Sequence, residues 1–417
     1  MKFLIAEEAL IDRKGHWFEY ITTISNQIRA SGDDVRVAAN SNAVEEILTE
    51  LKADAVFPKS AWGTGGKAKS SFSRIRQLWK HNGNLFKAAE AYIEEQGEFD
   101  VLFVPTILID HILGWRKFAK KHAGKKVKKI VLFFVNGQGT YQGPDKPILF
   151  QKSPNKFLFK YALSSLKKEV ENGTVLLGCE TREMAKEYEA FCGLPFHYLP
   201  HAVNETPLEP DGERSETAPK TFSHLGFSRF EKGSDLLQEA IMHFFENHPE
   251  ANVRFLLQWV TDFAKEDGSI CTKEQALLSN PKVEFIDKAL NSEEYKALLQ
   301  QTDVMVLPYR PSSYYARVSR VAIEAAINSV PMIYTKGSWN ESLVLDNHGA
   351  GIGFDTESVD SLYEAIEHSV NNINILKAEA EARRLNALEH YSAENFEHYL
   401  KSLTGFSSQG TAALNDR

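Results

Sequence analysis

The chain has 417 residues, 43% hydrophobic and 25% charged, with a formal net charge of −8 at pH 7. That length exceeds one ordinary core and points to about two domains, while no apolar run approaches the roughly 20 residues of a membrane span. The three cysteines, Cys179, Cys192 and Cys271, follow no metal-ligand spacing and read as reduced, buried thiols.

The opening MKFLIAEE turns acidic after a short apolar run, so it reads as a first strand and not as a leader. Further short apolar runs follow: VRVAA (35–39), DVLFVP (100–105), KIVLFFV (129–135) and TVLLG (174–178). Such runs fit strands buried on both faces of a parallel sheet. Helical patterns lie between them, as in HWFEYITTISNQIRA (16–30) and TREMAKEYEAF (181–191). Segment 59–70, with GTGG, reads as a loop. Two stretches, 67–81 and 116–130, hold most of the basic excess, with Trp62, Phe72, Trp79 and Phe86 within or beside the first. They are either solvated helix faces or a patch for an anionic surface such as a membrane. No base-reading motif accompanies them, which argues against nucleic acid.

Residues 205–220, ETPLEPDGERSETAPK, lack periodicity and read as a linker between an N-terminal domain (1–204) and a C-terminal one (221–375). The second half repeats the first in style, with strands expected at 221–226, 253–260, 283–286, 303–308 and 330–335. Strand–helix alternation on both sides of a linker predicts two doubly wound α/β domains. Residues 376–403 are expected as long helices, and 404–417 as a frayed tail.

Ligands of doubly wound sheets bind beyond the carboxyl ends of the strands, so the segments after the strands carry the information. In LGFSRFEKGSDLL (225–237), Gly226 ends a strand, Arg229 and Lys232 stand in the turn, and Ser234 is placed to cap the next helix. The cations fit phosphate oxygens, though a solvated turn accounts for them too. In LPYRPSSYYARVSRVAIEAAI (307–327), a polar loop carries Tyr309, and a helix expected from Arg317 or Val318 carries Glu324 among alanines. An acid on a packing face needs a partner: either a nearby arginine or two sugar hydroxyls.

Taken together, LPHAVNETP, GFSRFEKGSDLLQEAI, VEFIDKALNSEEYKALLQQTDVMVLP and YYARVSRVAIEAAINSVPMIYT resemble, in identity and order, the segments of retaining, nucleotide-sugar-dependent glycosyltransferases of the GT-B fold, family 4 class. The resemblance implies two Rossmann-like domains facing a central cleft, with C-terminal helices packing back on the N-terminal domain. It implies Lys232 and Arg229 as the cations on the donor diphosphate. Gly226, Ser228, Tyr309, Arg317 and Ser319 would line the donor site, Ile286 the nucleobase pocket, and Glu324 the ribose. In the first domain it implies Gly15, His16 and Asn136 near the reacting centre. The family's first glutamate falls at Ala316 and is missing here, and its usual arginine position holds Phe227.

The implied activity is transfer of a hexosyl group from a nucleotide sugar to an acceptor hydroxyl with retention, in polysaccharide or glycolipid synthesis. No metal or other cofactor is required; the partners are the donor, a glycan or lipid-linked acceptor, and an anionic membrane surface met through 67–81 and 116–130. A cytoplasmic, membrane-peripheral location follows. The departures from the family motif keep two alternatives open: a non-catalytic GT-B protein that binds nucleotide or sugar, and a nucleotide-sugar 2-epimerase.

Overall fold

A computed structural model describes residues 1–13, 17–62, 71–143, 146–203, 207–208, 215 and 217–406. The chain divides into two compact units. One comprises Met1–Gly139, Ile148–Asn204 and Tyr391–Arg417; the other comprises Thr140–Pro147 and Glu205–His390.

In the first unit the strands are β1 (Lys2–Ala6), β2 (Asp34–Asn40), β3 (Ala53–Phe57), β4 (Phe99–Val104), β5 (Val127–Phe134), β6 (Val175–Cys179) and β7 (His197–Tyr198). They pair in parallel in the order β3-β2-β1-β4-β5-β6-β7. Alternate residues of each strand face opposite sides. Phe3, Ile5, Phe103 and Phe133 pack against the helix Trp17–Ala30 and against Phe396 and Leu400 of the last helix, Ala393–Thr404. Leu4, Ala6 and Leu102 meet Ala89, Tyr92, Trp115 and Phe118 from the helices Ser71–Gln96 and Ile112–His122. Helices on both faces explain why the strands read as unbroken apolar runs. The strand order reverses direction between β1 and β4, which makes their carboxyl ends the place where this fold binds ligands.

The second unit holds β8 (Lys220–His224), β9 (Val253–Gln258), a small antiparallel pair β10 (Phe263–Ala264) and β11 (Ile270–Cys271), then β12 (Val283–Ile286), β13 (Val304–Leu307), β14 (Met332–Thr335) and β15 (Gly351–Phe354). Its main sheet is parallel, in the order β12-β9-β8-β13-β14-β15, and reverses between β8 and β13. Phe222, Ile241, Phe244, Phe255, Val306 and Ile366 form its core.

Several expectations need correction. The edge strands β3 and β15 and the β10–β11 pair have no counterpart in the sequence reading. The C-terminal helices do not travel together: Ile373–His390 belongs to the second unit, and Ala393–Thr404 returns to the first. The helix carrying Glu324 starts at Arg320, after a separate short helix at Pro311–Tyr314. All three cysteines are buried thiols.

Candidate functional site

Within the second unit, the carboxyl ends of β8 and β13 bring the turn Gly226–Gly233 beside the loop Pro308–Ser319. Two glycines make this approach possible. Gly233 has φ +65°, and a Cβ there would lie 2.0 Å from the Pro308 carbonyl oxygen. Gly226 has φ +97°, and a Cβ there would lie 2.5 Å from Lys232 Nζ. The missing side chain at Gly226 is thus the space in which the lysine ammonium rests. Gln258, the last residue of β9, braces this turn: its Oε1 accepts from the Gly226 N–H at 2.6 Å, and its Nε2 donates to the Lys288 carbonyl at 3.1 Å.

Lys232 Nζ lies 5.3 Å from the ring centroid of the buried Tyr309. Among the described residues it has no ion-pair partner. Burial, then the positive charges of Arg229 and Arg317, push its pKa down to about 8, with only Glu231 opposing. Arg229 is exposed and loosely paired with Glu231, Nη1 to Oε1 3.5 Å. Arg317 is exposed, its guanidinium 5.2 Å from the Tyr314 ring. Three cations that raise one another's electrostatic cost form a place for an anion.

Glu324 is buried, and its Oε1 accepts from Arg320 Nε at 2.8 Å. The nearby arginine expected for this acid is Arg320. The carboxylate also faces Tyr295, whose hydroxyl it pushes to higher pKa after burial has done so, and its field reaches Tyr309. Tyr309 is thus near the Lys232 ammonium and within the field of Glu324.

Other expected residues serve the frame. Ser228 is buried and donates its hydroxyl proton to the Gln258 carbonyl at 2.7 Å. Ser319 caps the helix Arg320–Ile327, accepting from the Ala322 N–H at 3.2 Å. Ile286 is buried, and its carbonyl accepts from the Trp259 N–H at 2.8 Å. Ser234 is not the cap of its helix; Gly233 takes that position. Its hydroxyl instead lies 3.0 Å from His224 Nε2 and accepts from the Arg229 N–H at 3.3 Å. His224 Nδ1 lies 2.9 Å from the Val306 carbonyl, which assigns the proton to Nδ1 and leaves Nε2 to accept from Ser234. Burial, then the Lys232 charge, hold this histidine neutral with a pKa of about 4, against the opposing pull of the Val306 carbonyl. Ala316 is buried.

In the first unit, Gly15 and His16 lie outside the described residues. Asn136 follows β5, and its carbonyl accepts from Tyr188 Oη at 2.7 Å. The glycine-rich loop beyond it is already filled: Glu187 Oε1 accepts from the N–H groups of Gln138 and Gly139. A carboxylate of the protein thus occupies the loop that an external anion would need.

Sequence reasoning missed a buried polar cluster at the carboxyl ends of β1 and β4. Glu8 Oε1 lies 2.9 Å from His111 Nδ1 and accepts from the Ala61 N–H, and Glu8 Oε2 is 3.3 Å from His81 Nε2. Burial raises the Glu8 pKa, but the two imidazoles outweigh it and hold the carboxyl at about 2. Burial dominates at neighbouring Glu7 and lifts its pKa to about 7. The adjacent acids in IAEE, placed directly after the first strand, were the available signal. Glu8, His81 and His111 lie close enough to suggest a metal site. However, His111 Nε2 accepts from the Leu108 N–H at 2.7 Å, so Nδ1 carries the ring proton and offers no lone pair to an ion. The trio fits a hydrogen-bonded network better than a metal centre.

Residues 220–372, inside the second unit, match the model of the family described as Glycosyl transferases group 1. The two parallel sheets have the GT-B fold. A glycosyltransferase from Rickettsia africae ESF-5 aligns over 98% of this chain and 99% of its own, at TM-score 0.63 and 12% identity. Sucrose-phosphate synthase from Thermosynechococcus elongatus aligns over 97% and 98%, at 0.62 and 13%. The Anabaena protein HepE, solved with UDP and glucose, aligns over 97% and 99%, at 0.61 and 12%. At such identities these likenesses establish the fold alone. No curated protein matches the sequence.

Proposed function

We propose that the chain transfers a hexosyl group from a nucleotide-sugar donor to an acceptor hydroxyl, with retention and without a required metal. The observation that carries this reading is Lys232: a half-buried ammonium with no carboxylate partner among the described residues, pressed by two further cations at the end of β8. A diphosphate there would relieve that repulsion and accept from Lys232, Arg229 and Arg317. In this reading Glu324, held by Arg320, would accept from the ribose hydroxyls of the donor. The group 1 family match over this unit and the UDP and glucose in the Anabaena structure support the same ligand class. The acceptor is a glycan or lipid-linked sugar of the cell envelope, and the protein works on the cytoplasmic side of the membrane; no described helix is long and apolar enough to cross it.

Ala316, buried where the family motif has an acid, favours one alternative: a GT-B protein that binds donor without turning it over. Calorimetry with UDP, GDP and ADP, followed by donor-consumption assays, separates the readings. Binding plus turnover is expected. Lys232→Ala should cost about 2–4 kcal/mol in transition-state stabilisation. Binding without turnover selects the alternative, and no nucleoside diphosphate binding at all rejects both.

A further inference from the structure

Two exposed segments of the first unit share an unusual composition. From Arg74 to Ala89 the charged residues are Arg74, Arg76, Lys80 and Lys87, with no acid; from Ile148 to Lys168 there are five lysines and again no acid. Both segments also expose large apolar side chains. Trp79 is 63% exposed and Phe157 75%, and Ile75 and Leu149 stand out to solvent beside them. Soluble surfaces seldom combine bare tryptophan and phenylalanine with an all-basic surround.

The fold sets the two segments on one side of the sheet. The helix Ser71–Gln96 packs on Ile112–His122, with the Gly114 N–H donating to Asn82 Oδ1 at 2.6 Å. Ile112–His122 in turn meets Pro154–Ser164, where the Arg116 guanidinium lies 5.3 Å from the Tyr161 ring. All three connect parallel strands, so they run antiparallel to the sheet and begin near its carboxyl edge. His81 meets Glu8 just past β1. At 1.5 Å per residue, Arg74 to Lys80 therefore project on the order of 10 Å beyond that edge. Phe159 touches Phe134, the last residue of β5, at 6.0 Å between ring centroids, so Phe157 also stands at that edge.

The basic run 116–130 does not join them. Lys121 pairs with Glu90, Lys128 with Asp100 at 2.7 Å, Lys129 donates to the Gly173 carbonyl at 2.7 Å, and Lys117 lies 4.0 Å from the ring centroid of the buried Phe86. Those four cations are engaged inside the unit, while the exposed Lys125 and Lys126 directly precede β5 and so lie at the opposite, amino edge of the sheet. By contrast, Arg74, Arg76, Lys80 and Lys156 have no ion-pair partner among the described residues.

We propose that the helix starts 74–80 and 149–161 form one docking surface for an anionic lipid bilayer, with Trp79 and Phe157 entering the headgroup layer and the free cations meeting lipid phosphates. Amphipathic aromatics with unpaired basic neighbours suit that interface, and each cation near an anionic surface strengthens binding severalfold. A second copy of this chain would bring like charge against like charge across the same face, which disfavours self-association as the occupant. The inference does not depend on the sugar-transfer reading, because its test needs no turnover.

The test is vesicle flotation of the full chain with phosphatidylcholine alone and with one-third phosphatidylglycerol, at low and high salt. Binding is expected only with the anionic vesicles and weakening with salt. Trp79→Ser with Phe157→Ser, and separately Arg74→Glu with Arg76→Glu, should each lower the partition coefficient at least about tenfold. Lys128→Glu should leave it as it was. Equal recovery with both lipids, no flotation at all, or indifference to both double variants would overturn the proposal. So would sedimentation showing that the wild type is a dimer that the Trp79/Phe157 variant dissociates, since the face would then belong to a second copy.

Discussion

At the scale of single residues, Lys232 shows how a binding site stores electrostatic cost. Its ordinary pKa of 10.5 falls to about 8 because burial and two neighbouring cations disfavour the charge. Between these values the unfolded chain keeps a proton that the folded chain gives up. Stability therefore rises with pH across that window, and the cost is fully present below pH 8. A bound diphosphate reverses the balance by favouring the protonated amine. Its affinity should be level below pH 8 and then fall by about tenfold per pH unit above it, as the ammonium must be reprotonated for binding. Calorimetry of UDP between pH 6.5 and 9.5 reads this directly. Lys232→Arg, which does not titrate there, should flatten the profile; a wild-type curve with no break near pH 8 would remove the lysine from the phosphates.

At the scale of elements, the loop after β13 is fixed by the long-range partners of its Arg310. Arg310 Nη1 and Nη2 reach Asp235 at 2.8 and 3.1 Å, Nε and Nη2 reach Glu357 at 2.6 and 3.0 Å, and its guanidinium lies 3.7 Å from the Phe230 ring centroid. It ties the loop to the turn and the helix that carry the cation group. Arg310→Ala would strand the buried Asp235 and should cost about 3–5 kcal/mol, read as a drop in the urea midpoint. Diphosphate binding should weaken with it, because the turn loses its brace. Arg310→Ala together with Asp235→Asn should recover part of the loss, and no recovery would mean that the pair is not the source. Much of this architecture was legible in the sequence. Central strands such as VMVL and KFLIA are buried almost throughout and appear as plain apolar runs. The edge strands ADAVF and GIGF are half-exposed, so their sequences carry an aspartate or glycines and no such signal. For the site, the cations and Glu324 were visible because they interrupt apolar patterns at strand ends. The framing by Gln258, His224 and Arg310, and the network of Glu8, His81 and His111, join residues dozens of positions apart, and local pattern has no means to pair them.

At the scale of the whole molecule, the chain's path makes the last helix part of the first unit's core. Val203 donates its N–H to the Tyr391 carbonyl at 3.0 Å, which brings the chain back to the first unit. Ser392 then caps the helix, accepting from the Asn395 N–H at 3.0 Å. Phe396 meets Phe103 at 5.6 Å and Tyr20 at 6.2 Å between ring centroids, Leu400 is fully buried, and Lys401 joins Asp33 at 2.7 Å. Removing residues 391–417 would uncover one side of β1, β4 and β5. Losing the burial of Phe396 and Leu400 alone should cost roughly 3–6 kcal/mol, a large share of a domain's usual 5–15 kcal/mol. Among the described residues that cluster is drawn from the first unit, and the second unit has a core of its own around Phe222, Phe244, Phe255 and Val306. The truncated chain should thus lose hydrogen-exchange protection across β1 to β5 while β8 to β15 stay protected and UDP still stabilises them. The milder Phe396→Ala should act in the same direction by about 3–5 kcal/mol. Equal loss of protection in both sheets would show that the two units fold as one cooperative body, and the helix would then be a clamp on the whole chain instead of a missing wall of one core.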